Sequence, residues 1–206
     1  MKIEHAAPHI GALVTGVDVR TISDGDWRTL YQTWLDRQLL CVRGQTLSKT
    51  DFITYSQRFG RLKPHRVKQT RDPENPEITL MGMVAKVADA KTSALVLSRG
   101  EGWHTDGPWD TEICKATQLY GLEIPSYGGD TLFANMQAAY AALPERLKTR
   151  IAPLKVEFGY GGRMRKGIER LDPEDQASPP AVHDMVRIHS ETGRKSLFIN
   201  PILHNA

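Results

Sequence analysis

The sequence predicts a strand-rich domain, mostly β with helices: a β-sandwich or jelly roll with the helices packed outside. Three observations carry this. Short apolar runs of strand length, bounded by Gly, Pro and Asn, occur from residue 11 to residue 200. Helical periodicity is confined to two excursions, one before residue 60 and one at residues 137–151. Strand and helix do not alternate regularly, which argues against a Rossmann-like sheet.

GALVTGVDV (residues 11–19) alternates apolar and small residues, as a strand does. Trp27, Leu30, Tyr31, Trp34 and Leu35 fall at i, i+3, i+4, i+7 and i+8, one face of an amphipathic helix that Ser23 or Asp24 can cap. LLCVR (39–43) reads as a short buried strand. A second helix begins at Ser48, with Asp51 three residues on; it turns Phe52, Tyr55 and Phe59 inward and stops at Gly60. Residues 60–75 are basic and broken by proline. ITLMGMV (78–84), ATQLYGLEI (116–124) and TLFANM (131–136) read as strands, the last two joined by a Pro-Ser-Tyr-Gly-Gly turn. The helical block at 137–151 restarts at Pro144. LKVEFGYG (154–161), AVHDMVRIH (181–189) and SLFIN (196–200) complete the strands, and SETGRK (190–195) reads as the hairpin loop between the last two. Trp27, Trp34, Tyr55, Phe59 and Tyr120 read as packing residues.

Composition bounds the function. The 206 residues suit one domain, expected to span 1–206. The chain is 40% hydrophobic and 25% charged, which is globular rather than disordered. No apolar run approaches the ~18 residues of a membrane-spanning helix. Net charge is +3, from 27 basic and 24 acidic residues that are interspersed. There is no Lys/Arg stripe of the nucleic-acid-binding kind, so neither nucleic acid nor membrane is an expected partner. A small positive excess suits an anionic small molecule. The opening MKIEHAAPHIGA lacks the apolar core of a secretory signal, and Cys41 and Cys114 form no CxxC pair. The expected compartment is the reducing cytoplasm.

The segment EGWHTDGPW (101–109) carries the chemistry. His104 and Asp106 are two apart, so in extended chain they share a face. An imidazole and a carboxylate on one face are two thirds of the 2-His-1-carboxylate triad that leaves open positions on non-haem Fe(II). With 7 His and 24 acidic residues, about one His-x-acid pair is expected by chance. Two occur, and the second, His189 with Glu191, falls in the hairpin loop. Around His104, Trp103 and Trp109 bracket the pair, while Gly102, Gly107 and Pro108 set a tight backbone. Without that context the pair reads as a polar turn at a strand end. Two segments, 85–102 and 162–180, are longer than a compact domain leaves irregular, and read as lids or disordered loops. The second holds Arg163, Arg165, Lys166 and Arg170, a solvated charge run or an attractor for an anionic substrate.

WHTDGPW, then IPSYGGDTLFANM (124–136), then VRIHSETGRKSLFIN (186–200) resemble the TauD/TfdA family of Fe(II)- and 2-oxoglutarate-dependent dioxygenases. GALVTGVDV and LLCVRGQTLSKTDFITYSQRFGRL (39–62) resemble that family's opening, so the similarity runs from about His9 to Pro201. The resemblance implies a double-stranded β-helix (a jelly roll) with helical additions. It implies Fe(II), 2-oxoglutarate and O2, and hydroxylation of a small anionic substrate such as a sulfonate, sulfate ester or aryloxyacid, with release of succinate and CO2. Residue by residue, it makes His104 and Asp106 two of three iron ligands and Thr131 a hydroxyl donor to 2-oxoglutarate. His65 and Phe198 match substrate-side positions; solvated loop and core strand are their plainer readings. Gly100 departs from the pattern, because taurine-specific members carry a polar substrate contact there. Relatives form dimers or tetramers, so a homodimer or homotetramer is expected.

The rival from another class is a jelly-roll binding protein that keeps the fold and has lost the metal centre. A weaker one is a cupin-like metal enzyme without 2-oxoglutarate. The family's second His ligand and the Arg that pairs with 2-oxoglutarate lie well beyond the SLFIN strand, and only His204 follows it here. The expectation is therefore an incomplete copy of a longer enzyme, missing its C-terminal part.

Overall fold

The first sheet grows around the strand at Ala12–Thr15 (β2), whose Ala12 and Val14 are fully buried while Leu13 and Thr15 are not. This is the alternation of a sheet with one covered face. Lys2–His5 (β1) pairs with it antiparallel, Lys2 opposite Thr15 and His5 opposite Ala12. Leu40–Val42 (β3) pairs on its other side in parallel, Ala12 opposite Leu40. A parallel neighbour needs a crossover. The helix Asp24–Arg37 (α1) supplies it, packing on β2 and β3 with Leu30 fully buried. Ser23 caps α1 by accepting the Asp26 N–H at 3.1 Å. Trp27, Tyr31 and Trp34 form a half-buried ladder along α1, with ring centroids 5.5 and 5.4 Å apart, and Trp27 meets Tyr55 edge-on at 6.1 Å.

A computed structural model describes residues 1–81, 102–160 and 170–200, and the strand backbone at 204–205. The remaining elements are Lys49–Gln57 (α2), Met136–Ala141 (α3), Glu145–Ile151 (α4), Lys155–Phe158 (β4), Pro173–Gln176 (α5), Ala181–Asp184 (β5), Val186–Ile188 (β6), Lys195–Leu197 (β7) and His204–Asn205 (β8). A short 3-10 turn covers Lys68–Thr70. α2 begins with a reciprocal cap: Ser48 Oγ accepts the Asp51 N–H at 3.1 Å, and Asp51 accepts the Ser48 N–H at 2.9 Å. The second sheet has the order β5-β4-β8, with both pairs antiparallel. The third is the β6-β7 hairpin, Val186 opposite Leu197, closed by residues 189–194 where the sequence places the loop.

The chain divides into two compact units. One comprises Met1–Tyr55, Leu119–Pro153 and Val186–Phe198; the other comprises Ser56–Gln118, Leu154–Met185 and Ile199–Ala206. Ala12, Val14, Val19, Leu30 and Phe198 form the core of the first, and Val67, Val156, Phe158, Leu171 and Ala181 that of the second. No helix among the described residues is long and apolar enough to cross a membrane.

Several expected strands differ. Residues 116–124 and 131–135 form no ladder, and Leu119, Leu122, Ile124, Leu132 and Phe133 are exposed. Alternation reports which side chains suit a covered face. A strand also needs a hydrogen-bonded neighbour, and none stands beside these segments among the described residues. Met136 starts α3 instead of ending a strand, because Asn135 Oδ1 accepts the N–H groups of Gln137 and Ala138 at 3.0 and 2.9 Å. The run 181–189 is two strands: the Met185 N–H donates to the Leu154 carbonyl, and β5 and β6 join different sheets. At 78–81 there is only an isolated bridge between Thr79 and Arg71, and the rest of that expected strand lies outside the described residues. Gly100, Arg163, Arg165, Lys166 and most of the 85–102 segment also lie outside them. Of the 162–180 segment, residues 173–176 are helical, not irregular.

Leu30 closes the first unit's core. Leu30→Ala is expected to lower stability by about 2–5 kcal/mol. Ile188→Ala, in the same unit at a residue 62% exposed, should change it by about 0.5 kcal/mol or less. Urea unfolding followed by tryptophan fluorescence compares them, and equal midpoints would contradict this packing.

Candidate metal centre

Residues 102–115 contain no helix or strand, so side chains from elsewhere must hold their backbone. Gly107, at φ +64°, opens a tight turn that the Asp110 N–H closes on the Gly107 carbonyl at 3.2 Å. That left-handed backbone favours glycine. Pro108 within the turn is fully buried, and Trp109 packs on Tyr160 with ring centroids 4.8 Å apart. From β5, His183 Nε2 reaches the carbonyls of Pro108 and Asp110 at 2.9 and 3.0 Å. Carbonyls only accept, so Nε2 carries the proton and donates to both.

The Asp110 carboxylate is only 11% exposed. It accepts from Lys63 Nζ at 2.6 Å and from Arg66 Nε at 3.1 Å. Arg66 also faces Asp175 of α5 at 3.6 Å. Lys68 pairs with Asp172, and that hydrogen bond raises its ammonium above the usual lysine range. Burial pushes the Cys114 thiol up. Neither Cys114 nor Cys41 is in a disulfide.

His104 and Asp106 stand just before this turn, with Nε2 and Oδ1 3.3 Å apart. The far side of each is tied to the protein. His104 Nδ1 lies 3.0 Å from the Gly102 carbonyl, so in the neutral ring the proton sits on Nδ1 and the Nε2 lone pair is left toward Asp106. Thr117 Oγ1 donates to Asp106 Oδ2 at 2.9 Å, leaving Oδ1 toward His104. Two acceptors facing each other repel unless a cation or a proton lies between them. Two donors each ~2.1 Å from one metal at a right angle lie ~3 Å apart, close to this separation. The pair therefore fits a divalent cation, and its side chains, 35% and 53% exposed, leave the outer face open. Among the described residues no third His, Cys, Asp or Glu joins them.

The other expected site residues fall elsewhere. His65, in the same unit as His104, is half-buried; its Nδ1 accepts the Val67 N–H at 3.1 Å. Thr131 is exposed, follows the Gly128-Gly129 turn, and belongs to the other unit. Phe198, also in that other unit, is buried, with the Arg187 guanidinium 4.9 Å over its ring. His189 and Glu191 lie in the β6-β7 loop, where Glu191 accepts the Tyr31 hydroxyl at 2.8 Å. His204 lies in β8, opposite Phe158. Sequence reasoning missed Thr117 and His183. Thr117 is eleven residues from Asp106 and has no spacing signal. His183 shares strand alternation with the buried Ala181, a polar ring at an inward position.

Comparison with known proteins agrees with this chemistry. The model of the taurine catabolism dioxygenase TauD, TfdA family matches residues 2–206. The (S)-phenoxypropionate/alpha-ketoglutarate-dioxygenase of Sphingobium herbicidovorans is 31% identical over 202 residues, covering 94% of this chain and 68% of that protein. The alpha-ketoglutarate-dependent 2,4-dichlorophenoxyacetate dioxygenase of Cupriavidus pinatubonensis is 29% identical, covering 93% and 70%. Among solved structures, AAD-2 in complex with Mn(II) and N-oxalylglycine superposes with a TM-score of 0.71 at 23% identity, over 97% of this chain and 72% of that one. The chain belongs to the TauD/TfdA family of non-haem iron dioxygenases, which use Fe(II), 2-oxoglutarate (alpha-ketoglutarate) and O2.

Proposed function

We propose that His104 and Asp106 are two of the three protein ligands to Fe(II) in a dioxygenase that hydroxylates a small anionic substrate. The substrate class is a sulfonate, sulfate ester or aryloxyacid. The observation that carries this is the 3.3 Å approach of two acceptor atoms whose partners, Gly102 and Thr117, occupy their other sides. The names of two relatives, both acting on aryloxyalkanoates, support the substrate class. The proposed architecture is a double-stranded β-helix to which the β5-β4-β8 sheet contributes.

When bound, Fe(II) with 2-oxoglutarate and O2 supplies the oxidation, in which the substrate gains a hydroxyl while succinate and CO2 leave. This chain's residues hold and orient. The Gly102 carbonyl fixes the His104 tautomer, so Nε2 is the donor. Thr117 holds Oδ2, so Oδ1 is the Asp106 oxygen that would hold the metal. The Thr131 hydroxyl donates to a 2-oxoglutarate carboxylate. His65 serves on the substrate side, and Phe198 contributes there through its packing with Arg187. The net charge of +3 favours an anionic substrate over a cationic one. The two unpaired thiols suit the reducing cytoplasm, and the assembly is a homodimer or homotetramer.

In an intact version of the protein, anaerobic Fe(II) with 2-oxoglutarate should give a weak visible charge-transfer band. His104→Ala and Asp106→Ala should each abolish it while far-UV circular dichroism is unchanged, and His189→Ala should retain it. A band that survives both ligand substitutions contradicts the assignment. No band in the unaltered protein would favour a binding protein without a metal centre.

Thr131→Val keeps shape and removes the hydroxyl. Losing one hydrogen bond to a charged group should weaken 2-oxoglutarate binding roughly 10- to 100-fold. Calorimetric titration measures it, and overlaying isotherms would leave Thr131 without that role.

A further inference from the structure

We propose that His183 is a positioning residue for the metal centre: its single Nε2–H ties the Pro108 and Asp110 carbonyls to β5 and so holds the backbone that sets the distance between His104 and Asp106. The proposal rests on the reading of that pair as the metal site. The turn at 107–110 begins one residue after Asp106, and three of its carbonyls accept hydrogen bonds. Gly107 accepts from Asp110 within the turn, while Pro108 and Asp110 both accept from His183 at 2.9 and 3.0 Å. Pro108 has no N–H, so its peptide can be anchored only through its carbonyl or its ring. The ring is buried, and the carbonyl goes to His183. The imidazole is itself fixed: His183 sits in β5 opposite Val156, and its ring lies 5.9 Å from the fully buried Phe158 of β4. A sheet position thus reaches a loop that has no ladder of its own.

Lys63 and Arg66 hold the same turn through the Asp110 side chain. They restrain the carboxylate, whereas among the described residues His183 restrains the carbonyls on both sides of Trp109. Metal ligands tolerate little displacement, and partners that orient them are worth about 10- to 100-fold in affinity. An effect near the lower end is expected for a group acting through the backbone.

The test compares His183→Phe, which keeps a ring and loses the donor, with His183→Gln, whose side-chain amide can place an N–H at the position of Nε2. Co(II) titration followed by visible absorption reads affinity and coordination. Amide hydrogen exchange of Asp110 in the metal-free protein reads the turn directly. The expected result is an affinity about 10-fold weaker in His183→Phe and restored to within about 3-fold by His183→Gln. Asp110 exchange should be faster in the first variant and near the unaltered rate in the second. Unchanged affinity and exchange in a folded His183→Phe would overturn the proposal. So would equal losses in both variants, because a restored N–H donor would then fail to restore the site; if His183→Phe does not fold, the His183→Gln titration and exchange decide alone, and a 10-fold loss there overturns it. The His104→Ala titration separates the two readings. If it binds Co(II) as the unaltered protein does, the metal-site reading fails; if it does not bind while His183→Phe binds as tightly as the unaltered protein, only the positioning role fails.

Discussion

Two acceptor atoms, His104 Nε2 and Asp106 Oδ1, are held 3.3 Å apart with their natural donors directed elsewhere. With the imidazole neutral, both facing atoms are acceptors, and a cation or a proton between them satisfies both. The surrounding loop contacts both groups. Gly102 and Thr117 occupy the outer sides of the two groups, and the buried turn at 107–110 fixes the backbone that follows.

Charge pairing is used selectively. The pairs Lys2–Glu4 and Arg61–Glu112 stand in solvent and contribute little. Asp110 is different, being largely covered and shared between Lys63 and Arg66. A carboxylate taken out of water with two cationic partners resists displacement, since moving it would leave charge uncompensated. This shared ion pairing holds the turn that follows Asp106.

Much of the fold was legible where a local rule decides the outcome. The apolar stripe from Trp27 to Leu35 with Ser23 ahead of it specifies α1, the Ser48/Asp51 pair specifies the start of α2, and Pro144 restarts the helix at α4. Residues 116–124 and 131–135 were misread because a strand depends on its neighbour, which alternation does not contain. The break at Met185 has the same cause: one apolar run can serve two sheets. At the site, His104 and Asp106 were visible because their spacing puts them on one face. Thr117 and His183 act across 11 and 75 residues, through a hydroxyl and a ring whose partners only the folded chain brings near. Thr131 and Phe198 entered through family motifs, not through any periodicity of their own.

The central claim is that His104 and Asp106 share one divalent cation. A crystal structure with Mn(II) and N-oxalylglycine, read by the anomalous signal of manganese, tests it most directly. One manganese should lie ~2–2.3 Å from both His104 Nε2 and Asp106 Oδ1, with the Thr117 hydroxyl still on Oδ2. Manganese bound elsewhere, or bound through Oδ2 with the Thr117 bond broken, would contradict the account.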